Sequence, residues 1–79
     1  MAWSRSEWPE EFLIRKEVIL DYNSSTLYVC SATGYKLGLI SGIGGIEDAK
    51  WVGDAVIVYW KNGMRTRYYG PYGSQRENV

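Results

Sequence analysis

Residues 58–70, VYWKNGMRTRYYG, place Asn62-Gly63 between two runs of aromatic, β-branched and cationic residues. An Asn-Gly pair in this setting is the strongest short-range hairpin signal, because a type I′ turn needs φ > 0 at both central positions. The pair commits this half of the chain to antiparallel sheet. With these two residues as the turn, Lys61 pairs with Met64, Trp60 with Arg65, Tyr59 with Thr66, Val58 with Arg67, Ile57 with Tyr68 and Val56 with Tyr69. Directly paired residues share a face. One face then carries Ala55, Ile57, Tyr59, Met64, Thr66 and Tyr68, and the other Val56, Val58, Trp60, Arg65, Arg67 and Tyr69.

The rest of the chain also alternates with a period of two. TLYVCS (26–31) and AVIVYW (55–60) are rich in β-branched and aromatic residues and bounded by turn formers, as strands should be. YKLGLI (35–40) reads as a third strand that Gly38 weakens or bulges. LIRKEVILDY (13–22) tolerates a helix, but its alternation favours a strand. Upstream, Ser6 is placed to cap one helical turn, with Pro9 in that turn and Glu7, Glu10 and Glu11 at its positive end. DYNSST is a turn cluster, SGIGGIEDAKWVGD a long connection or irregular strand, and GPYGSQRENV a tail expected to fray from residue 71.

These elements predict one mainly-β domain over residues 1–79, with an N-terminal arm over 1–11. The expected architecture is a five-stranded SH3-like barrel or a twisted antiparallel meander, with at most one short helical turn. A chain of 79 residues has no room for a second domain. It buries only about 60% of the surface its unfolded form exposes, so its core is marginal. Four Trp, seven Tyr and one Phe compensate, each removing roughly 150–250 Å² from water when buried. So much aromatic surface is hard to hide in one small core, which leads us to expect a homodimer. Trp3 and Trp8 in the arm are expected to cover an open end of the sheet or to mediate that association, and Trp51 to pack in the core.

What is missing narrows the chemistry. The absence of histidine removes the commonest general base and metal ligand, and a lone Cys30 permits neither an intrachain disulfide nor a thiolate zinc site. Inside an apolar strand, Cys30 reads as a buried structural thiol. Glu47, Asp48 and Asp54 form an acidic group whose spacing does not match a calcium loop, so a solvated acidic surface is expected. SGIGGIED (41–48) fails as a phosphate loop, because G-x-G-x-x-G needs glycine where Glu47 stands and no Lys-Ser/Thr pair follows. Gly42, Gly44 and Gly45 instead let the chain turn a corner. No enzyme, cofactor or metal is expected.

Net charge is zero but uneven: residues 1–57 carry eight acids against five bases, while 58–79 carry Lys61, Arg65, Arg67 and Arg76 against Glu77 alone. The N-terminal MAWSRSEWPEEF has no apolar stretch of signal-peptide length, and no segment approaches a membrane span. With a single cysteine, this points to a cytoplasmic chain without a membrane partner.

WVGDAVIVYWKNG (51–63) resembles the strand–hairpin unit of SH3-like and Tudor-like barrels; the resemblance is confined to this stretch and carries no functional residues with it. The candidate partner-binding residues are Trp60, Lys61, Arg65, Arg67 and Tyr69, since Trp, Tyr and Arg dominate binding hot spots and arginine is seldom buried unpaired. Glu47, Asp48 and Asp54 are a secondary acidic surface. The function expected is a non-enzymatic interaction module or inhibitor that binds a protein, of the type of phage factors that occupy a host protein's surface. Two alternatives are a nucleic-acid-binding barrel, with Trp60 and Tyr69 stacking bases, and a subunit of a larger assembly. Zero net charge weighs against nucleic acid.

Folding should need neither metal nor disulfide. Thermal unfolding with chelator or with reductant should give the midpoint of the untreated protein, and a drop of several degrees would reveal a site the sequence hides.

Overall fold

The computed structural model describes residues 5–22, 25–40 and 44–79. Trp3, Asn23, Ser24 and Gly42, which figure in the sequence reading, lie outside the described residues. The order of elements is α1 (Glu10–Arg15), β1 (Glu17–Leu20), β2 (Thr26–Cys30), β3 (Lys36–Ile40), β4 (Ile46–Val52), β5 (Ala55–Trp60), β6 (Arg65–Tyr68) and β7 (Arg76–Asn78). The strands form two antiparallel sheets in sequential order, β1-β2-β3 and β4-β5-β6-β7. β1 approaches β4, but the two belong to separate sheets. The molecule is thus mainly β, with two open meanders where a single five-stranded barrel or twisted meander was expected. No helix among the described residues is long and apolar enough to cross a membrane.

Alternation builds the core. In the first sheet Val18 faces Val29 and Leu20 faces Leu27, with Leu37 on the other side of Val29. In the second, Trp51 faces Val56, Ala49 faces Val58, and these stand opposite Tyr68 and Thr66. Leu27, Val29, Ile46, Val56, Val58 and Tyr68 are buried, and Trp8 and Phe12 close the cluster from the N-terminal side.

Several local expectations need correcting. The stretch 13–22 divides: Leu13 to Arg15 finish α1, and only Glu17–Leu20 is strand. The helix reverses at Lys16, whose φ of 51° is left-handed and whose N–H donates to the Phe12 carbonyl oxygen. Ser6 does not cap it. Pro9 is the N-cap residue, and the Ser6 hydroxyl donates to the Asp54 carbonyl oxygen at 3.0 Å. Gly38 makes no bulge but stays in register opposite Tyr28, where a Cβ would come within 3.4 Å of the tyrosine ring. Of the two readings of SGIGGIEDAKWVGD, the irregular strand holds over Ile46–Val52: this is β4, with a bulge between Ile46 and Asp48, and a tight turn at Gly53-Asp54 joins it to β5. Positive φ at Gly53 (63°) but not at Asp54 gives that turn a type II′ pattern. The tail contains a strand that the sequence did not suggest: β7 pairs with β6, Arg67 opposite Glu77.

The Asn62-Gly63 hairpin forms with a different register. Tyr59 pairs with Arg65, Val58 with Thr66, Ile57 with Arg67 and Val56 with Tyr68, one residue away from the type I′ expectation. The loop closes between Trp60 and Met64: the Gly63 N–H donates to the Trp60 carbonyl at 3.0 Å, and the Trp60 N–H to the Met64 carbonyl at 2.9 Å. Only Gly63, at φ 91°, is left-handed, and the Asn62 side-chain oxygen instead accepts the Met64 N–H at 2.9 Å. This is a three-residue loop with a G1 bulge. A one-residue slip reverses every side chain of a strand. The expected register would set Arg65 and Arg67 beside the buried Val56 and Val58, and burying guanidinium groups among valines costs several kcal/mol.

Two tryptophans test the core from opposite sides. The Trp8 indole N–H donates to the Tyr68 carbonyl at 3.1 Å, whereas the indole nitrogen of Trp51 is buried with no hydrogen-bond partner among the described residues. Urea unfolding should show Trp8→Phe destabilising by about 1–3 kcal/mol, because it orphans a buried carbonyl, and Trp8→Ala by about 3–5 kcal/mol. Trp51→Phe should fall within about 1 kcal/mol of the parent, because it removes an unsatisfied donor. Equal losses for the two phenylalanine variants would contradict this assignment.

Candidate functional site

The outward face of the second sheet is built of cross-strand rows. Asp48, Tyr59 and Arg65 form one row, which Val79 extends by donating its N–H to the Arg65 carbonyl at 3.1 Å. Lys50, Ile57, Arg67 and Glu77 form the next. Arg65, Lys50 and Asp48 are exposed, and Tyr59 and Ile57 are half-buried. The Lys50 ammonium lies 5.6 Å from the centre of the Tyr59 ring. This surface combines an aromatic ring, an aliphatic side chain and two exposed cations, with Val52 and Val79 at its margins.

The predicted site residues do not share one exposed face. Arg65, Arg67 and Tyr69 do lie on the same side, but their cross-strand neighbours are Tyr59 and Ile57, in place of Trp60 and Val58. Trp60 points to the opposite side, where its indole N–H donates to the Thr66 hydroxyl at 2.8 Å. Lys61 is exposed in the loop, its N–H donating to the Gly45 carbonyl at 3.3 Å. Arg67 is only 4% exposed and Tyr69 only 7%. The acidic residues also separate. Glu47 and Asp48 sit at the bulge that opens β4, and Asp54 lies in the turn beyond its far end, roughly 15 Å from Asp48 at the rise of an extended strand. Asp54 forms an ion pair with Lys16 at 3.4 Å. Among the described residues, no group of three or more acids or cysteines is arranged to hold a metal ion. Cys30 is a free, buried thiol.

What covers Arg67 and Tyr69 is the N-terminal arm, a feature the sequence reading did not connect to this face. Arg67 donates to the Arg5 carbonyl oxygen at 2.6 Å and pairs with Glu77 at 3.4 Å. The Tyr69 ring has the guanidinium of Arg5 4.2 Å from its centre and that of Arg67 5.7 Å away. The Glu7 N–H donates to the Tyr69 carbonyl at 2.6 Å, and Gln75 donates to the Glu7 carboxylate. The hydrogen bond from Arg5, and then that from Gln75, hold the Glu7 carboxyl below its ordinary value. Residues 5–7 thus cross the end of the second sheet before Trp8 enters the core. Alternation cannot reveal this, because the contacts join positions sixty or more residues apart.

No family model, curated protein or solved structure matches the chain.

The two arginines should respond differently to substitution. Arg65→Glu should change stability by no more than about 1 kcal/mol, as for other exposed charges. Arg67→Glu should destabilise by about 3 kcal/mol or more, since it sets a buried carboxylate against Glu77 and the Arg5 carbonyl. Chemical denaturation of the two single variants checks this, and equal small losses would mean that Arg67 is not structural.

Proposed function

We propose that this chain is a non-enzymatic interaction module that docks a protein partner on the outward face of its second sheet. The observation that supports this reading is the Tyr59–Arg65 pair. An aromatic ring and a guanidinium stand side by side, with Lys50 over the ring and half-buried Ile57 in the next row. Tyr and Arg lead the residues that act as binding hot spots, and each works best beside apolar surface that sheds water on contact. The site shifts from the residues first singled out: Arg65 stays, Tyr59 and Lys50 join it, and Trp60 and Arg67 serve the fold.

A protein partner fits this surface better than nucleic acid. Asp48 and Glu77 stand in the same rows as Arg65 and Arg67, and acids interspersed among cations break the continuous positive track that a phosphate backbone requires. Inhibition of the partner is one outcome such docking has, since a domain that covers a functional surface blocks it.

Affinity capture from a native lysate, with and without nuclease, tests the reading. The parent chain should retain a protein partner after nuclease treatment, and the Tyr59→Ala/Arg65→Glu variant should lose it by about tenfold or more. Capture abolished by nuclease would favour nucleic acid, and capture indifferent to the double variant would remove this face.

A further inference from the structure

We infer that the outward face of the second sheet docks a second copy of this chain, about a two-fold axis that runs across the strands between the Tyr59 row and the Ile57 row. The inference rests on the reading of that sheet as a protein-docking face and names a partner for it. The two rows carry inverse charge patterns. The first runs Asp48, Tyr59, Arg65 from β4 to β6, and the second Lys50, Ile57, Arg67, Glu77 from β4 to β7. Acid is followed by base along β4, and on the far side of β5 base is followed by acid.

An axis across the strands exchanges the rows of the two copies, so that one patch complements itself. Asp48 then faces Lys50 of the second copy, and Lys50 faces its Asp48; both side chains are exposed. Tyr59 faces Ile57 of the second copy, and these half-buried side chains lose their remaining water at the centre of the contact. Arg65 comes over the Arg67–Glu77 pair of the second copy, whose outer member is the carboxylate, 37% exposed against 5% for the guanidinium side chain. Each exposed charge in the two rows thus meets one of opposite sign. Such complementarity fixes register and orientation more than it adds affinity.

Other placements of the axis serve less well. On either row itself, the axis sets like on like, Asp48 on Asp48 or Lys50 on Lys50. Along β5, it matches Asp48 with Arg65 but puts Lys50 over Arg67, and it brings the two N-terminal arms together, because Arg5 lies over Tyr69 at the same end of each sheet. With the axis across the strands, the arms lie at opposite ends. The contact is four strands wide and two rows deep, which is small beside a permanent interface, so the dimer is weak and dissociates to free the face for another protein.

Sedimentation velocity of the full chain at low salt, from micromolar to millimolar concentration, tests this. The parent should pass from the 9.0 kDa monomer to a dimer. Asp48→Lys should weaken dimerisation about tenfold or more, and so should Lys50→Asp, because each sets like charges face to face. An equimolar mixture of these two variants, and the one chain carrying both changes, should each dimerise as the parent does. Glu10→Lys, which changes net charge as Asp48→Lys does but on the exposed side of α1, should leave association unchanged. Circular dichroism should report the parent fold for every variant, since all three positions are exposed. A parent that stays monomeric at millimolar concentration, single reversals that associate as the parent does, a mixture that stays monomeric, or a Glu10→Lys variant that dissociates like Asp48→Lys would overturn the inference. If any of these occurs while capture of another protein through Tyr59 and Arg65 persists, the docking face survives and only the second copy falls. If dimerisation follows the charges while capture of another protein ignores Tyr59 and Arg65, the face serves self-association and the earlier reading falls instead.

Discussion

The Trp8 indole sits where the N-terminal arm, α1 and the second sheet meet, and the remaining architecture depends on it. Its ring stacks at a tilt on Phe12 of α1, 5.7 Å between centres, and on Trp51 of β4 at 5.3 Å. Its N–H satisfies a carbonyl of β6. Two open sheets in a chain this small have little apolar area to hold them together, and one large side chain that fills the gap between layers contributes more than several small ones. With this wedge in place, α1 closes one end of the core and the arm must cross the end of the second sheet. The burial of Arg67 and Tyr69 follows from that path.

Much of the fold can be read from local alternation. The spans of β2 and β5 follow from runs of β-branched and aromatic residues between turn formers, and that of β3 from the shorter run around Gly38. Where the reading fails, a non-local effect has overridden a local preference. Leu13 to Arg15 belong to a helix that buries Phe12 against Trp8, and Trp8 is itself held by the carbonyl of Tyr68, sixty residues further along the chain. The C-terminal residues look like a polar tail, yet Glu77 finds Arg67 across a strand pair, and a polar sequence becomes an edge strand. An edge of Arg, Glu and Asn is also a poor template for unwanted strand pairing.

The candidate site was half legible. Residue types pointed to this hairpin, and Arg65 stands on its exposed side. The faces could not be assigned from Asn-Gly alone, because both a type I′ turn and a G1-bulged loop place glycine at a left-handed position. Weighing Val56 and Val58 as core residues from the start would have chosen between them, since only the bulged loop keeps Arg65 and Arg67 away from those valines. The role of Arg67 was out of reach. Its partners include the main chain of Arg5 and a carboxylate on a strand that the sequence conceals.

The three-residue loop at the hairpin tip has an evolutionary consequence. Side chains alternate along β6, so the number of residues between Trp60 and Met64 acts as a parity that decides which side each later residue faces. Loss or gain of a single codon there would exchange Thr66 and Tyr68 for Arg65 and Arg67 in the core, a far harsher event than most substitutions in the same loop. Gain of two codons would leave the parity intact. Length variation among descendants of this chain should therefore come in even steps at this point, with odd steps surviving only where a compensating bulge arises further along the strand.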